Sequence, residues 1–307
     1  MRADWVAASV RARSMAQRRA GAGTCRDIAA LPNLPAAATA LEGTVYGRDM
    51  SAARALGPAQ QATRRTVLWQ LRVLAGWLPA GGTQLVRAAA ARFEADNVLG
   101  LAAALRAGTP PPPDPFDLGG LATAWPRLRT AETFETLQAM LTGSPWGEPS
   151  ADAALPDLLT AVWLRRLASA APGARPWAVA GAVLLAARLL FVDRTRPAGR
   201  LPSLLRPLLG SRWPEAATLP ELSLALSPAA GEALAGIQDP RDLWRAEAQL
   251  AARVEQDGFG LLRAGLPGPD VVLGAMAVLA ADAWRVRAAL AAAAAGTGGS
   301  EVLDAVA

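Results

Sequence analysis

The stretch DVVLGAMAVLAADAWRVRAALAAAA, residues 270–294, decides the fold. In it Val272, Met276, Leu279, Ala283, Val286 and Leu290 recur at alternating spacings of four and three, which lines up one apolar stripe on an α-helix. Asp270 stands where a capping acid opens such a helix, and the small, polar tail from Gly296 predicts fraying beyond it. The same alternation runs through Val67, Leu71, Leu74 and Leu78, in a helix that Pro58 opens within its first turn. Residues 79–82 break that helix. Thr83 can cap the next, which carries Val98, Leu101 and Leu105 and ends near Ala107. Two long helices joined by so short a loop are expected to lie antiparallel.

Composition points the same way. Strand formers are scarce, with Tyr only at 46 and Ile only at 28 and 237, while Ala, Leu and Arg dominate, all of them strong helix formers. The expected fold class is all-α, and 307 residues suffice for three small helical domains. Hydrophobic residues make up 52% of the chain, but much of that is Ala. The core must therefore rest on Leu, Val and the Trp residues, with Trp69, Trp77 and Trp284 expected inside.

Working outward, residues 3–20 read as a helix with Trp5, Ala8 and Val10 on its apolar side. Thr24 can cap a helix to Leu31, Asn33 one through Glu42, and Ser51 a short one to Leu56. Helices are expected again at 131–141, 153–170, 177–192 and 203–209. A further helix, capped by Asp239, carries the stripe Leu243, Leu250, Val254 and Leu261, and Gly258 and Gly260 loosen its end. The segment GTPPPPDP at 108–115 reads as a stiff spacer. A repeat is visible: helices 84–107, 177–192 and 270–294 each follow another helix across a Gly/Pro break and carry Arg106, Arg188 and Arg287 in their second halves. These arginines are candidate interface or inter-helix charges, the alternative being pairing within their own domains.

The chain holds no His, which removes Ser-His-Asp and Cys-His triads, His general bases and His metal ligands. No GxxxxGK[ST] loop is present. Glu94 and Asp96, at i and i+2 on one helix, point apart, and the single Cys25 has no partner for a disulfide and no His to activate it. No catalytic residue, cofactor or metal site is expected. The net charge is +5 with 31 basic groups, all Arg. They are interspersed with acids except at Arg11, Arg13, Arg18 and Arg19, which read as a solvated helix face rather than a nucleic-acid footprint. The longest charge-free runs, 28–41 and 73–86, both contain Pro. The most apolar stretch, 178–192, is interrupted by Arg188, and no long apolar run follows Arg2 and Asp4. Neither membrane insertion nor a signal peptide is expected.

Three local patterns carry a family resemblance. LEGTVYG at 41–47 is similar to an L-x-x-T-x-Y-G turn in the family of V-/A-type ATPase central-stalk proteins designated C in prokaryotes and d in eukaryotes, with Thr44, Tyr46 and Gly47 matching. NVLGLAAALRAG at 97–108 resembles that family's helix ending N-hydrophobic-x-x-L-L-R-A-K: Leu101, Leu105, Arg106 and Ala107 match, while Gly100 and Gly108 replace the Asn and the Lys. DAWRVRAAL at 282–290 resembles its E-I-x-N-L-R pattern through Asp282, Val286 and Arg287, with Arg285 at the Asn position. The opening VAASVRARSM is similar to the family's N-A-R-V-R helix, and 109–235 matches by pattern only.

The resemblance implies three similar helical domains around a pseudo-threefold axis, like a funnel. They are expected at 1–108, 109–235 and 236–307, the last closing on the N-terminal helix. It further implies a non-catalytic coupling component, peripheral on the cytoplasmic face of a membrane, that joins the central shaft to the proteolipid ring and carries torque between them. Thr44, Tyr46, Gly47, Leu105 and Asp282 would be structural, with no nucleic acid bound. The readings that compete with it are a general helical scaffold, an Arg-driven nucleic-acid binder and a carboxylate-dependent helical enzyme.

Overall fold

In the computed structural model, residues 3–50, 53–112, 114–150, 153–263 and 265–305 are described, and among them every regular element is a helix. Ser51, expected to cap a helix, and Pro113 of the polyproline run lie outside the described residues. The chain forms two compact units, 1–83 with 247–307 and 84–246. It passes between them at 83/84 and 246/247, where the sequence reading places domain bounds at 108/109 and 235/236.

The first unit contains α1 (Val6–Gln17), α2 (Gly21–Ala29), α3 (Leu34–Leu41), α4 (Gly47–Met50) and α5 (Leu56–Ala75). The second contains α6 (Thr83–Ala107), α7 (Trp125–Leu128), α8 (Phe134–Thr142), α9 (Leu155–Ala170), α10 (Arg175–Ala187), α11 (Leu201–Leu209), α12 (Leu219–Ala225) and α13 (Pro228–Gly231). Then α14 (Leu243–Arg263) carries the chain back to the first unit, which α15 (Pro269–Ala295) and α16 (Glu301–Asp304) complete.

The centre of the first unit is α15. It packs against α1, α2, α3 and α5 and is buried almost all round, from Val271 to Ala293. A helix enclosed on every side must be apolar on every side, which is why its sequence is mostly Ala and Val around the predicted stripe. Gly274 lets α14 come close: a Cβ there would lie 2.6 Å from the Gly258 carbonyl oxygen, and one at Gly258 would lie 2.9 Å from that of Gly274. Gly258 therefore does not loosen the end of its helix, which continues to Arg263; it is the contact surface.

The second unit is built on α9, α10 and α11 packed together, with Ala91, Ala95, Val98 and Leu101 of α6 in the same core as Trp146 and Trp213. After Ala187 the helix α10 widens into a π turn, 188–192. The run Pro172–Val192 is long and apolar enough to cross a bilayer by length and composition, and 56% of its most apolar window is buried inside the protein.

Several expectations are corrected. Trp69 and Trp77 are 45% and 51% exposed rather than core, and Val10 is exposed. Trp69 instead lies under the Arg48 guanidinium at 5.8 Å, a contact an indole face makes as readily at a surface as inside. The basic N-terminal residues are not one solvated face. Arg13 Nε donates to the Leu262 carbonyl at 3.1 Å, and Arg19 lies over the Phe259 ring at 4.6 Å; both targets are on α14.

Candidate functional site

The turn that carries the resemblance occurs twice. At 41–47 the chain reads L-E-G-T-V-Y-G and at 141–147 L-T-G-S-P-W-G. In the first copy, Thr44 donates through both N and Oγ1 to the Leu41 carbonyl (2.9 and 2.7 Å), Tyr46 N donates to Thr44 Oγ1 (3.2 Å), and Gly47 N to the Thr44 carbonyl (3.2 Å). In the second, Ser144 does the same to Leu141 (2.9 and 2.7 Å), Trp146 N donates to Ser144 Oγ (3.1 Å), and Gly147 N to the Ser144 carbonyl (3.0 Å). A hydroxyl at the fourth position both terminates the preceding helix and holds the aromatic residue, a local job that only Ser or Thr does from so short a side chain. Glycine closes each turn for a different steric reason. A Cβ at Gly47 would lie 2.2 Å from the Glu42 carbonyl oxygen, whereas Gly147 is left-handed at φ +73° and faces the Arg200 guanidinium.

In both copies the aromatic residue donates to a buried carboxylate. Asp282 on α15 accepts from Tyr46 Oη (2.7 Å), Ala20 N (3.0 Å) and Gly21 N (2.7 Å). Glu94 on α6 accepts from Trp146 Nε1 (2.9 Å), Thr123 N (2.6 Å), Ala124 N (2.9 Å) and Thr123 Oγ1 (2.8 Å). Both are fully buried. Each carboxylate thus satisfies orphan N–H groups at the start of a helix, α2 or α7, and locks the turn through the same group. That is why α2 begins at Gly21 and not after Thr24: its cap is supplied by a residue 261 positions away. Three residues beyond each carboxylate stands a second buried polar group. Asn97 clamps Phe116 through N (2.7 Å) and carbonyl (2.9 Å), and Arg285 pairs with Glu255 at 2.7 Å.

The helix ahead of each of the two turns opens on a side-chain cap, and so does α12 of the second unit. Asn33, Thr133 and Thr218 each accept from the backbone N three residues on, at Ala36, Thr136 and Glu221. Eight residues after each cap stands a buried leucine, Leu41, Leu141 or Leu226.

Of the residues singled out in the sequence, Thr44, Tyr46, Gly47 and Asp282 come together in the first node. Leu105 is half-buried against the core of the second unit. Arg106 lies over the Phe134 ring at 4.0 Å, Arg188 bridges Asp157 and Asp193, and Arg287 is half-buried on α15. Each of the three arginines is engaged with its own surroundings. The second node, Glu94–Trp146, escapes a reading of the sequence, although LxG[ST]x[YW]G matches itself at an offset of one hundred positions.

Cys25 is buried beside the first node. Burial, reinforced by the Asp282 carboxylate, pushes its thiol up to about 12, Arg285 acting in the opposite sense. Burial and then Asp282 likewise hold the Tyr46 phenol well above its usual range. Both groups stay protonated in the folded chain while the unfolded chain ionises, so each contributes stability that is lost as pH rises; for the Cys25 thiol it is intact below pH 9 and is lost as pH rises toward 12. The urea midpoint is expected to fall across that window, the thiol alone accounting for on the order of 4 kcal/mol. Cys25→Ala should flatten the early part of the fall, which a pH series of unfolding curves would read directly.

Beside the second node lies a cleft of about 520 Å³ lined by Arg87, Arg165, Arg166 and Arg200 with Gln84 and Ser169 among its walls. Arg200 donates to the Trp146 and Glu148 carbonyls (3.2 and 3.0 Å), Arg87 to the Gly120 carbonyl (3.2 Å), and Arg166 stacks over the Trp146 ring at 5.2 Å. Burial holds the Arg166 guanidinium below its usual range, with Glu94 opposing and Arg87 adding to the shift.

Among the described residues no three His, Cys, Asp or Glu side chains are placed to hold a metal ion. No family model matches the chain, and no curated protein is found similar to it. Fold and site together define a class: an all-helical framework in which one carboxylate-locked turn is used in each of two units.

Proposed function

We propose that this chain is a non-catalytic central-stalk coupling component of a V-/A-type rotary ATPase, peripheral on the cytoplasmic face, joining the central shaft to the proteolipid ring. The observation that carries the reading is the duplicated node. The L-x-x-T-x-Y-G turn, on which the family resemblance chiefly rests, is anchored by Asp282, the acid of another of the family patterns. Glu94 with Asn97 repeats the spacing of Asp282 with Arg285. A fold assembled from copies of one unit is what the resemblance implies.

The mechanics follow from the chemistry. A part that transmits torque must resist shear, and resistance comes from cores packed at crystal-like density and from buried polar networks whose every member is satisfied. Each node ties a long central helix, the start of a short helix and a tight turn to one carboxylate, so none of the three can slide without unpairing buried donors. Trp69 and Trp77, exposed on and just beyond α5, are the residue type that anchors protein interfaces.

The test is purification of the tagged full chain from its source cells under mild detergent. Proteolipid and shaft proteins in amounts comparable to the bait are the expected result. Their consistent absence, with the chain itself folded and abundant, favours the general helical scaffold instead.

A further inference from the structure

We propose that the arginine-lined cleft of the second unit is a binding site for a small polyanion carrying clustered phosphate groups. The cleft draws on three separate stretches of chain: Arg87 from α6, Arg165 and Arg166 from α9, and Arg200 from the residue before α11. No carboxylate is among its lining residues. The carboxylate that acts on Arg166 is Glu94, and its oxygens are already taken by four donors of the node.

The guanidiniums are held in place without being neutralised. Arg87 and Arg200 are fixed by backbone carbonyls, Arg166 by the Thr123 hydroxyl at 3.5 Å and the face of Trp146. All of these partners are uncharged. Two buried nitrogens, Nε of Arg87 and Nη1 of Arg166, have no hydrogen-bond partner among the described residues, although buried donors are normally satisfied. Arg165 is exposed and makes no side-chain hydrogen bond or ion pair with the described residues. Several like charges in one cleft repel, and such an arrangement is relieved by an anion that the same donors bind.

Arginine forks match the oxygens of phosphate in pairs, and a cleft of this volume is in the range of small-molecule sites rather than of an extended peptide groove. The floor is also rigid. Gly147 leaves room for the Arg200 guanidinium, and the locked turn holds Trp146 beneath Arg166, so little ordering remains to be done on binding. The proposal rests on the second unit alone and does not depend on the coupling reading.

The experiment is titration calorimetry of the full chain with sodium tripolyphosphate at fixed ionic strength, with sulfate and an oligoglutamate peptide as comparators. Saturable binding at one site per chain is expected, tighter than sulfate by about tenfold or more, since several oxygens engage at once. Arg165→Gln should weaken it about tenfold. That side chain is exposed and unbonded, so the fold is retained, as circular dichroism would verify. Arg166→Gln should weaken it at least as much. Arg196→Gln, an exposed arginine outside the cleft, should change it less than about twofold. Absence of saturable binding, or equal losses in Arg165→Gln and Arg196→Gln, overturns the site. Tighter binding of oligoglutamate than of tripolyphosphate overturns the ligand class in favour of an acidic protein segment.

Discussion

Replacing Asp282 with Ala is expected to destabilise the first unit by about 3–5 kcal/mol. The carboxylate is fully buried and accepts from Tyr46 Oη, Ala20 N and Gly21 N. Alanine leaves all three donors without an acceptor and removes the cap from α2, and each orphaned buried donor costs about 1–3 kcal/mol. Tyr46→Phe removes a single donor and leaves the acid with its two backbone partners, so it should cost only about 1–2 kcal/mol. A larger loss at Asp282 than at Tyr46 is the informative ordering, because it follows from the number of donors left without an acceptor. Glu94→Ala is the same experiment in the second unit, where four donors are released, and it should show a loss of the same order. Urea unfolding followed by circular dichroism measures both. Hydrogen exchange assigns each loss to its unit: earlier exchange in α2 and the 41–47 turn for Asp282, in α7 and the 141–147 turn for Glu94. An Asp282→Ala protein as stable as the parent would show that the node does not hold the unit together.

The second large effect is expected at Gly274. Valine there places a Cβ 2.6 Å from the Gly258 carbonyl oxygen and 2.8 Å from the Leu261 Cβ, and the neighbour that must yield is backbone rather than a side chain that can swing away. The clash is relieved only by separating α14 from α15, at a cost of about 3 kcal/mol or more. Gly260 is the control. It lies two residues beyond Gly258 on the same helix, with nothing within 4 Å of a Cβ built on it. Gly260→Ala should therefore stabilise by about 0.4–1 kcal/mol by reducing the freedom of the unfolded chain. Opposite signs for the two substitutions, read as shifts of the urea midpoint, would establish that the close helix contact is real.

These glycines show how far local reading reaches. Gly258 and Gly260 look alike in the sequence, and both read as loosening a helix end. Only the partner helix distinguishes a contact surface from an open face. Asn33 is the opposite case: its cap is made to Ala36 three residues on, so sequence suffices. The start of α2 is mislocated at Thr24 because its true cap comes from Asp282. Trp69 and Trp77 are misplaced because hydrophobicity is a property of the residue, while exposure depends on what else reaches that part of the surface.

What the sequence alone determined is the helical class, the span of the long helices and the residues of the first turn. Periodicity, capping and turn chemistry act over a few residues, so the chain states them locally. The tertiary structure alone decided that a buried carboxylate anchors each turn, that Glu94 and Asp282 hold equivalent positions, and that Arg87, Arg165, Arg166 and Arg200 converge on one cleft. Convergence depends on which helices pack, and packing is settled by the collective burial of many weak contacts that no single stretch of chain encodes.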